Sequence, residues 1–253
     1  MLGLLRKALR VGLVRKEVSP GVIMDLDPED YLQREILVQG IYEGATLGLL
    51  DSLLSKSRGF LDIGAHMGLF TLRAARALAD CGGRVYSVEP TPTHASMLLH
   101  NAELSGLTNI ELICSALSDF QALAVMASPH ESNTGGSRLK ECNIADLRRI
   151  PIRVPVLRYG DIASAISDEA LDVVKLDIEG HEFRVLRQLI KAAPRLPSNL
   201  IVEFIPSEHH YDHELAWLES VGYEILEVDG RPYLKERTPL ENNLWFRHSS
   251  LNQ

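Results

Sequence analysis

The run Phe60-Leu61-Asp62-Ile63-Gly64-Ala65-His66-Met67-Gly68-Leu69-Phe70-Thr71 decides the reading of this chain. Residues 59–63 are mostly apolar and have the length of a buried strand. A glycine turn then opens a helix that the pattern predicts from about Met67 to Asp80. Gly64 permits a tight turn close to a ligand, and Gly68 brings the helix start near without a Cβ in the way. The spacing is Gly-x-x-x-Gly, whereas a dinucleotide pyrophosphate asks for Gly-x-Gly-x-x-Gly. Asp62, two residues before Gly64, is a poor neighbour for pyrophosphate and a good one for a cation.

Working outward, Arg84 to Val88 reads as a second strand ending at Glu89, twenty-one residues beyond Gly68. An acid there can accept both hydroxyls of a ribose. Together, Asp62, the turn and Glu89 point to a nucleoside carrying a positive charge, such as S-adenosylmethionine. Ala65 and His66 of the turn are placed on the cofactor side. Asn109 to Cys114 is a third strand, and Ala116-Leu117-Ser118-Asp119 follows it where this topology flanks an adenine.

Strands over 171–176 and 199–205 continue the rhythm, with helices over 93–105, 181–192 and 211–220. Repeated strand–helix units predict an α/β, doubly wound Rossmann fold with a mostly parallel sheet. Tyr223–Val228 and Asn243–Arg247, with Asp229-Gly230 between them, predict an antiparallel edge hairpin. Residues 21–57 read as a helical lead-in and 115–160 as an inserted wall or lid. The insertion contains Asn133-Thr134-Gly135-Gly136-Ser137, a Gly-rich loop suited to closing over a ligand.

Composition narrows the class. The chain has 253 residues, 45% hydrophobic and 24% charged, so a single α/β domain accounts for residues 21–253. Three cysteines, Cys81, Cys114 and Cys142, show no Cys-x-x-Cys spacing, which fits a reducing cytoplasm rather than a disulfide scaffold. The net charge of -8 argues against nucleic acid as a partner.

Residues 1–20 form a separate basic segment. Arg6, Lys7, Arg10, Arg15 and Lys16 stand without an acid before position 17. Leu2, Leu5, Leu9 and Leu13 recur at helical spacing and predict an amphipathic helix. Such a helix packs its leucines on its own domain or makes peripheral contact with an anionic membrane or a partner. It is too interrupted by charge to span a bilayer, and it lacks the form of a signal peptide.

The chain resembles the FkbM family of S-adenosylmethionine-dependent methyltransferases. The resemblance rests on residues 60–68, Val88-Glu89-Pro90, Asn133 to Ser137, Val174-Lys175-Leu176-Asp177-Ile178-Glu179-Gly180-His181-Glu182 and Leu200 to Phe204, with Gln39 to Glu43 ahead of them. It implies a methyltransferase-type Rossmann fold with a seven-stranded sheet. It also implies O-methylation, usually of a sugar or natural-product hydroxyl, with Asp62, Gly64 and Glu89 as cofactor contacts. Asn133 and Gly135 then close over the substrate. Where the family often has Thr-Leu-Asp, this chain has Leu157-Arg158-Tyr159-Gly160-Asp161.

Ligands of open α/β sheets bind beyond the carboxyl ends of the strands, which is where Asp177 and Glu179 fall. A hydroxyl is a weak nucleophile and needs positioning and a base. Asp177 with Glu179 is the favoured catalytic pair, and His181 and Glu203 are placed on the substrate side. Glu182 is assigned to its helix start. Asp177, Glu179 and Glu203 would also accommodate a divalent metal, which nothing in the sequence demands. His209 and His213 read as a polar helix start rather than a metal pair. Two other classes remain open: a nicotinamide-dependent oxidoreductase, and a non-catalytic cofactor-binding module that docks through its N-terminal helix. The sequence does not specify the acceptor molecule or the oligomeric state.

Overall fold

The computed structural model describes residues 12–127, 138–140, 152–205 and 211–249. The elements run in the order β1 (Val14–Ser19), β2 (Val22–Leu26), α1 (Tyr31–Gln39), α2 (Gly44–Leu54), β3 (Gly59–Ile63), α3 (Leu69–Ala79), β4 (Arg84–Val88), α4 (Pro92–Leu104) and β5 (Ile110–Ile113). An inserted group follows, with β6 (Ala116–Leu117), β7 (Ala122–Ala127), β8 (Arg138–Lys140), β9 (Ile152–Leu157) and the short α5 (Tyr159–Ile162). The chain closes with β10 (Val173–Leu176), α6 (Glu182–Ala192), β11 (Asn199–Glu203), α7 (Asp212–Ser220), β12 (Tyr223–Glu227) and β13 (Asn243–His248).

The central sheet has seven strands in the order β12-β13-β11-β10-β3-β4-β5. The pairs β3–β4, β4–β5, β3–β10 and β10–β11 are parallel, and β13 runs antiparallel to both β11 and β12. Every residue of β3 is buried. Alternation sends Leu61, Ile63, Val174, Leu176, Leu200 and Val202 into one core, and Phe60, Val173 and Ile201 into the other. Helices therefore cover both faces, as the near-continuous apolar strands require.

The closing hairpin differs from the sequence expectation in its connection. The antiparallel pair forms, but β13 inserts between β11 and β12 rather than following a tight turn. Asp229-Gly230 does make a turn, with Gly230 at φ 86, and it closes only a local bridge from Leu226 to Pro232.

The N-terminal region also differs. Residues 14–19 are a strand, paired antiparallel with 22–26, so the predicted helix does not extend to Arg15 and Lys16, and the lead-in begins with a strand. Residues 1–11 lie outside the described residues. β-branched Val14, Val18, Val22 and Ile23 favour the strand, and Gly21 at φ 72 supplies the turn. The Arg15 guanidinium donates to Asp25, while Lys16 Nζ donates to the carbonyls of Ile36 and Leu37 at 2.8 and 3.0 Å. Two of the five basic residues thus tie the hairpin down, the lysine at the C-terminal end of α1, where a cation is favoured.

The insertion 115–160 builds a second, four-stranded sheet in the order β6-β9-β7-β8, with a small core of Ala116, Val154 and Val156. Its exit, where the chain departs from Thr-Leu-Asp, is the start of α5. There the Arg158 amide donates to Asp161 Oδ2 at 2.8 Å. Cys81 and Cys114 are free. No helix among the described residues is long and apolar enough to cross a membrane.

Candidate active site

The glycine turn joins β3 to α3. Gly64 and Gly68 have φ of 93 and 96, a region that L side chains rarely enter. A Cβ on Gly64 would lie 1.9 Å from the Asp177 carbonyl oxygen, and one on Gly68 would lie 2.9 Å from Leu98 Cγ. The close approach that these glycines allow is therefore first of all to the protein itself. The amides of Gly64 and Ala65 donate to the Val88 carbonyl, His66 donates to Glu89 and Gly68 to the Ala65 carbonyl. With four of its amides engaged, this turn has few donors left for a pyrophosphate.

Asp62 is buried and accepts from Thr71 Oγ1 at 2.6 Å, and Thr71 is linked in turn to Ser87. Burial pushes its carboxyl up to about 6, against the pull of Lys175 and Thr71. Its effect on a ligand is thus the field of a carboxylate behind the turn.

Glu89 stands at the end of β4. Its Oε2 accepts from the His66 amide at 2.9 Å and its Oε1 from the Thr91 amide at 2.7 Å, with His94 Nδ1 3.5 Å away. Burial opposes its charge, but His94 and the Thr91 amide outweigh burial and hold it below the ordinary carboxylate value. Each oxygen retains acceptor capacity, which a ribose diol could use. The His66 and His94 rings lie 3.9 Å apart, and burial pushes His66 down to about 3, so it is neutral.

The other acids converge at the ends of β10 and β11. One carboxylate oxygen each from Asp177, Glu179 and Glu203 lies within 4.8 Å of the others. Lys175, almost fully buried, donates to Asp177 Oδ2 at 2.7 Å and sits 4.6 Å from the Phe70 ring centre. It pairs across the sheet with Asp62. Burial opposes its charge, but Asp177, Glu43 and Asp62 hold the ammonium protonated. Burial, then Asp177 and Glu179, pushes Glu203 up to about 10, so it carries a proton at neutral pH. The triad is close enough to share one cation, but Lys175 already supplies a positive charge there.

Glu179 has φ 58 and Gly180 φ 101. Glu182, also buried, accepts from the amides of Ile178 and Gly180, so it braces this turn in keeping with its assignment to the helix start. His181 Nδ1 is 2.8 Å from Ser118 Oγ, which joins the turn to the exit of β6. Ala116 and Leu117 are buried in that strand, Leu117 within the main core. Asn133 and Gly135 lie outside the described residues, as does His209, while His213 is exposed on α7.

The structure thus brings Asp62, Gly64, Ala65, His66, Gly68 and Glu89 together at the ends of β3 and β4, and Asp177, Glu179 and Glu203 at the ends of β10 and β11. Sequence reasoning gave no role to Lys175, Tyr42, Glu43 or His94. The signal for Lys175 was available: a lysine inside an apolar strand must find buried counter-charges.

The sheet order, the glycine turn and the strand-end acids define a Rossmann-type methyltransferase. The methyltransferase FkbM domain matches residues 62–225, more than half of the chain. This protein belongs to that family. It is 25% identical over 211 residues to Methyltransferase 1 of Beauveria bassiana (strain ARSEF 2860), covering 78% of this chain and 81% of that protein. A methyltransferase from Geobacter sulfurreducens superposes with a TM-score of 0.51 at 16% identity, covering 95% and 94% of the two chains. Methyltransferase FkbM from Methylobacillus flagellatus KT gives a TM-score of 0.47 at 16% identity, over 75% of this chain and 43% of that longer one.

Proposed function

We propose that this protein transfers the methyl group of S-adenosylmethionine to a hydroxyl oxygen of a small molecule, a sugar or other natural product. The observation that carries this reading is the convergence of Asp177, Glu179 and Glu203 at strand ends beside the Gly64 turn. When bound, S-adenosylmethionine supplies an electrophilic methyl group on a sulfonium. Glu89 accepts from the ribose hydroxyls, Ala116 and Leu117 flank the adenine, and the field of Asp62 favours the cationic end.

Asp177 and Glu179 hold the acceptor hydroxyl and steer its lone pair toward the methyl carbon. The strained φ of Glu179 aims a carboxylate where a relaxed turn would not, a pattern concentrated at active sites. Asp177 is fixed by Lys175, which suits holding more than deprotonating. Protonated Glu203 donates or accepts as the acceptor requires. His181 lines the substrate side, and transfer without a divalent metal is favoured over one that places an ion at the acid triad.

Labelled S-adenosylmethionine incubated with fractionated host extract should mark a small molecule in an alkali-stable ether. The Asp177→Asn, Glu179→Gln double variant should lower kcat by about 10²-fold or more. Unchanged turnover in that variant would reject the pair and favour a different set of residues. Tight NAD binding without binding of the methyl donor would reject the whole reading.

A further inference from the structure

Among the described residues, three non-glycine residues adopt positive φ: His66 at 50, Glu179 at 58 and Glu43 at 49. The first two belong to the site above. The third, from the lead-in, has had no role. Left-handed backbone is unfavourable for a non-glycine residue and persists where the surroundings impose it.

Glu43 holds the N-cap position of α2, yet its side chain makes no capping bond. The usual reason for an acid there is therefore missing. Glu241, almost two hundred residues away, does that work instead. Its two oxygens accept from the amides of Ala45 and Thr46 at 2.9 Å each, and from Thr46 Oγ1 at 2.6 Å. Glu43 is left to turn toward the sheet, where Asn243 Nδ2 donates to its Oε2 at 3.0 Å. Its Oε1 has no hydrogen-bond partner among the described residues. Asn243 pairs across the sheet with Glu203, and α2 packs on β10, the strand that carries Lys175 and leads to Asp177. Glu43 therefore sits beside the strand ends that carry the acceptor-holding acids, bonded to the cross-strand partner of Glu203 and near enough to Lys175 and Asp177 to feel their charges.

We infer that Glu43 is a catalytic residue of the proposed transfer and takes the proton of the acceptor hydroxyl at Oε1. This inference rests on the methyltransferase reading given above. As the acceptor oxygen forms its bond to the methyl carbon, its O–H bond breaks and the proton passes to the Glu43 carboxylate. The carbon–sulfur bond electrons go to sulfur, leaving a methyl ether and S-adenosylhomocysteine, and Glu43 then releases the proton to solvent.

The groups that act on Glu43 suit the task. Burial pushes its carboxyl up to about 7, Lys175 of β10 opposes that rise, and Asp177 and Glu241 add to it. Tyr42, beside it in the chain, keeps its own proton, because burial and then Glu43 push its phenol up. A base poised near neutral pH is matched to proton transfer in water.

Glu43→Gln keeps the shape and an acceptor for Asn243. It should lower kcat by about 10²- to 10⁴-fold, leave KM and S-adenosylmethionine affinity nearly unchanged, and remove the acidic limb of the kcat–pH profile. Its melting temperature should not fall. Glu241→Gln should lower the melting temperature and move the acidic limb to lower pH without removing it, because Glu241 adds to the rise of the Glu43 carboxyl. Glu43→Gln with wild-type kcat, or with the acidic limb intact, overturns the assignment and leaves the methyltransferase reading standing. A folded wild type that labels no acceptor in any fraction overturns both.

Discussion

Glu89 and Glu203 occupy equivalent places and meet opposite fates. Each is a glutamate at the carboxyl end of a parallel strand of one sheet, largely withdrawn from water. Burial alone would protonate both. Around Glu89 two backbone amides and His94 favour the charge, and it stays ionised. Around Glu203 stand Asp177, Glu179 and Glu182, with Lys175 as the opposing charge, and it holds a proton. One strand end is thus a fixed anion fitted to hydroxyl donors. The other is a crowded acid group that can give or take a hydrogen bond. The strand-end position says where ligands meet the sheet, but the donors and charges around each acid decide what it does there.

The strongest way to break this contrast is to remove the cation between the two ends. Lys175→Met leaves Asp177 and Asp62 without their buried partner and should cost about 3–5 kcal/mol of stability, measured by urea unfolding. A loss within experimental error would mean that the acids do not depend on it. Next in size, Glu89→Gln removes charge-assisted bonds of about 1.5–3 kcal/mol, so S-adenosylmethionine binding should weaken by about 10- to 100-fold in calorimetry. Glu203→Gln should bind the cofactor normally, because Gln resembles the protonated acid already present.

The same pair gives opposite slopes of stability against pH. The Glu203 carboxyl is raised from 4.5 to about 10 in the folded state. Its contribution is fully present below about 4.5 and declines as pH rises toward 10, because the unfolded chain binds fewer protons there. Glu203→Gln should flatten that decline in melting temperature. Glu89 is lowered, so its contribution is present above its unfolded value and is lost as pH falls through its folded value. Glu89→Gln should flatten the acid-side loss. Matching slopes in the two variants would erase the distinction. The smallest effect expected is that of a chelator: EDTA should leave methyl transfer unchanged, and a large loss restored by magnesium would show that a metal shares the acid triad.

Much of the central fold was legible because it is written locally. The strand candidates β3, β4, β5, β10 and β11 are short apolar runs with turn residues at their ends, and their order follows from strand–helix alternation. The strand over residues 14–19 was not legible, because the leucine pattern of residues 2–13 says nothing about the stretch from Val14 to Val18 that follows it. The pairing that makes residues 14–19 a strand comes from 22–26 and from anchors such as Lys16 on α1. The insertion of β13 between β11 and β12 was hidden as well, since a two-residue turn signal at 229–230 marks only a local bridge.

By itself, then, the sequence determined the glycine turn, the acids at the strand ends and the family pattern that joins them, because backbone geometry and hydrophobic period act over a few residues. The tertiary structure alone decided which acid is charged, which is protonated, and that Glu43 is released from capping its helix by Glu241. Those outcomes depend on burial and on partners far away in the chain, and electrostatics in a low-dielectric interior is set by distance in space rather than by separation in sequence.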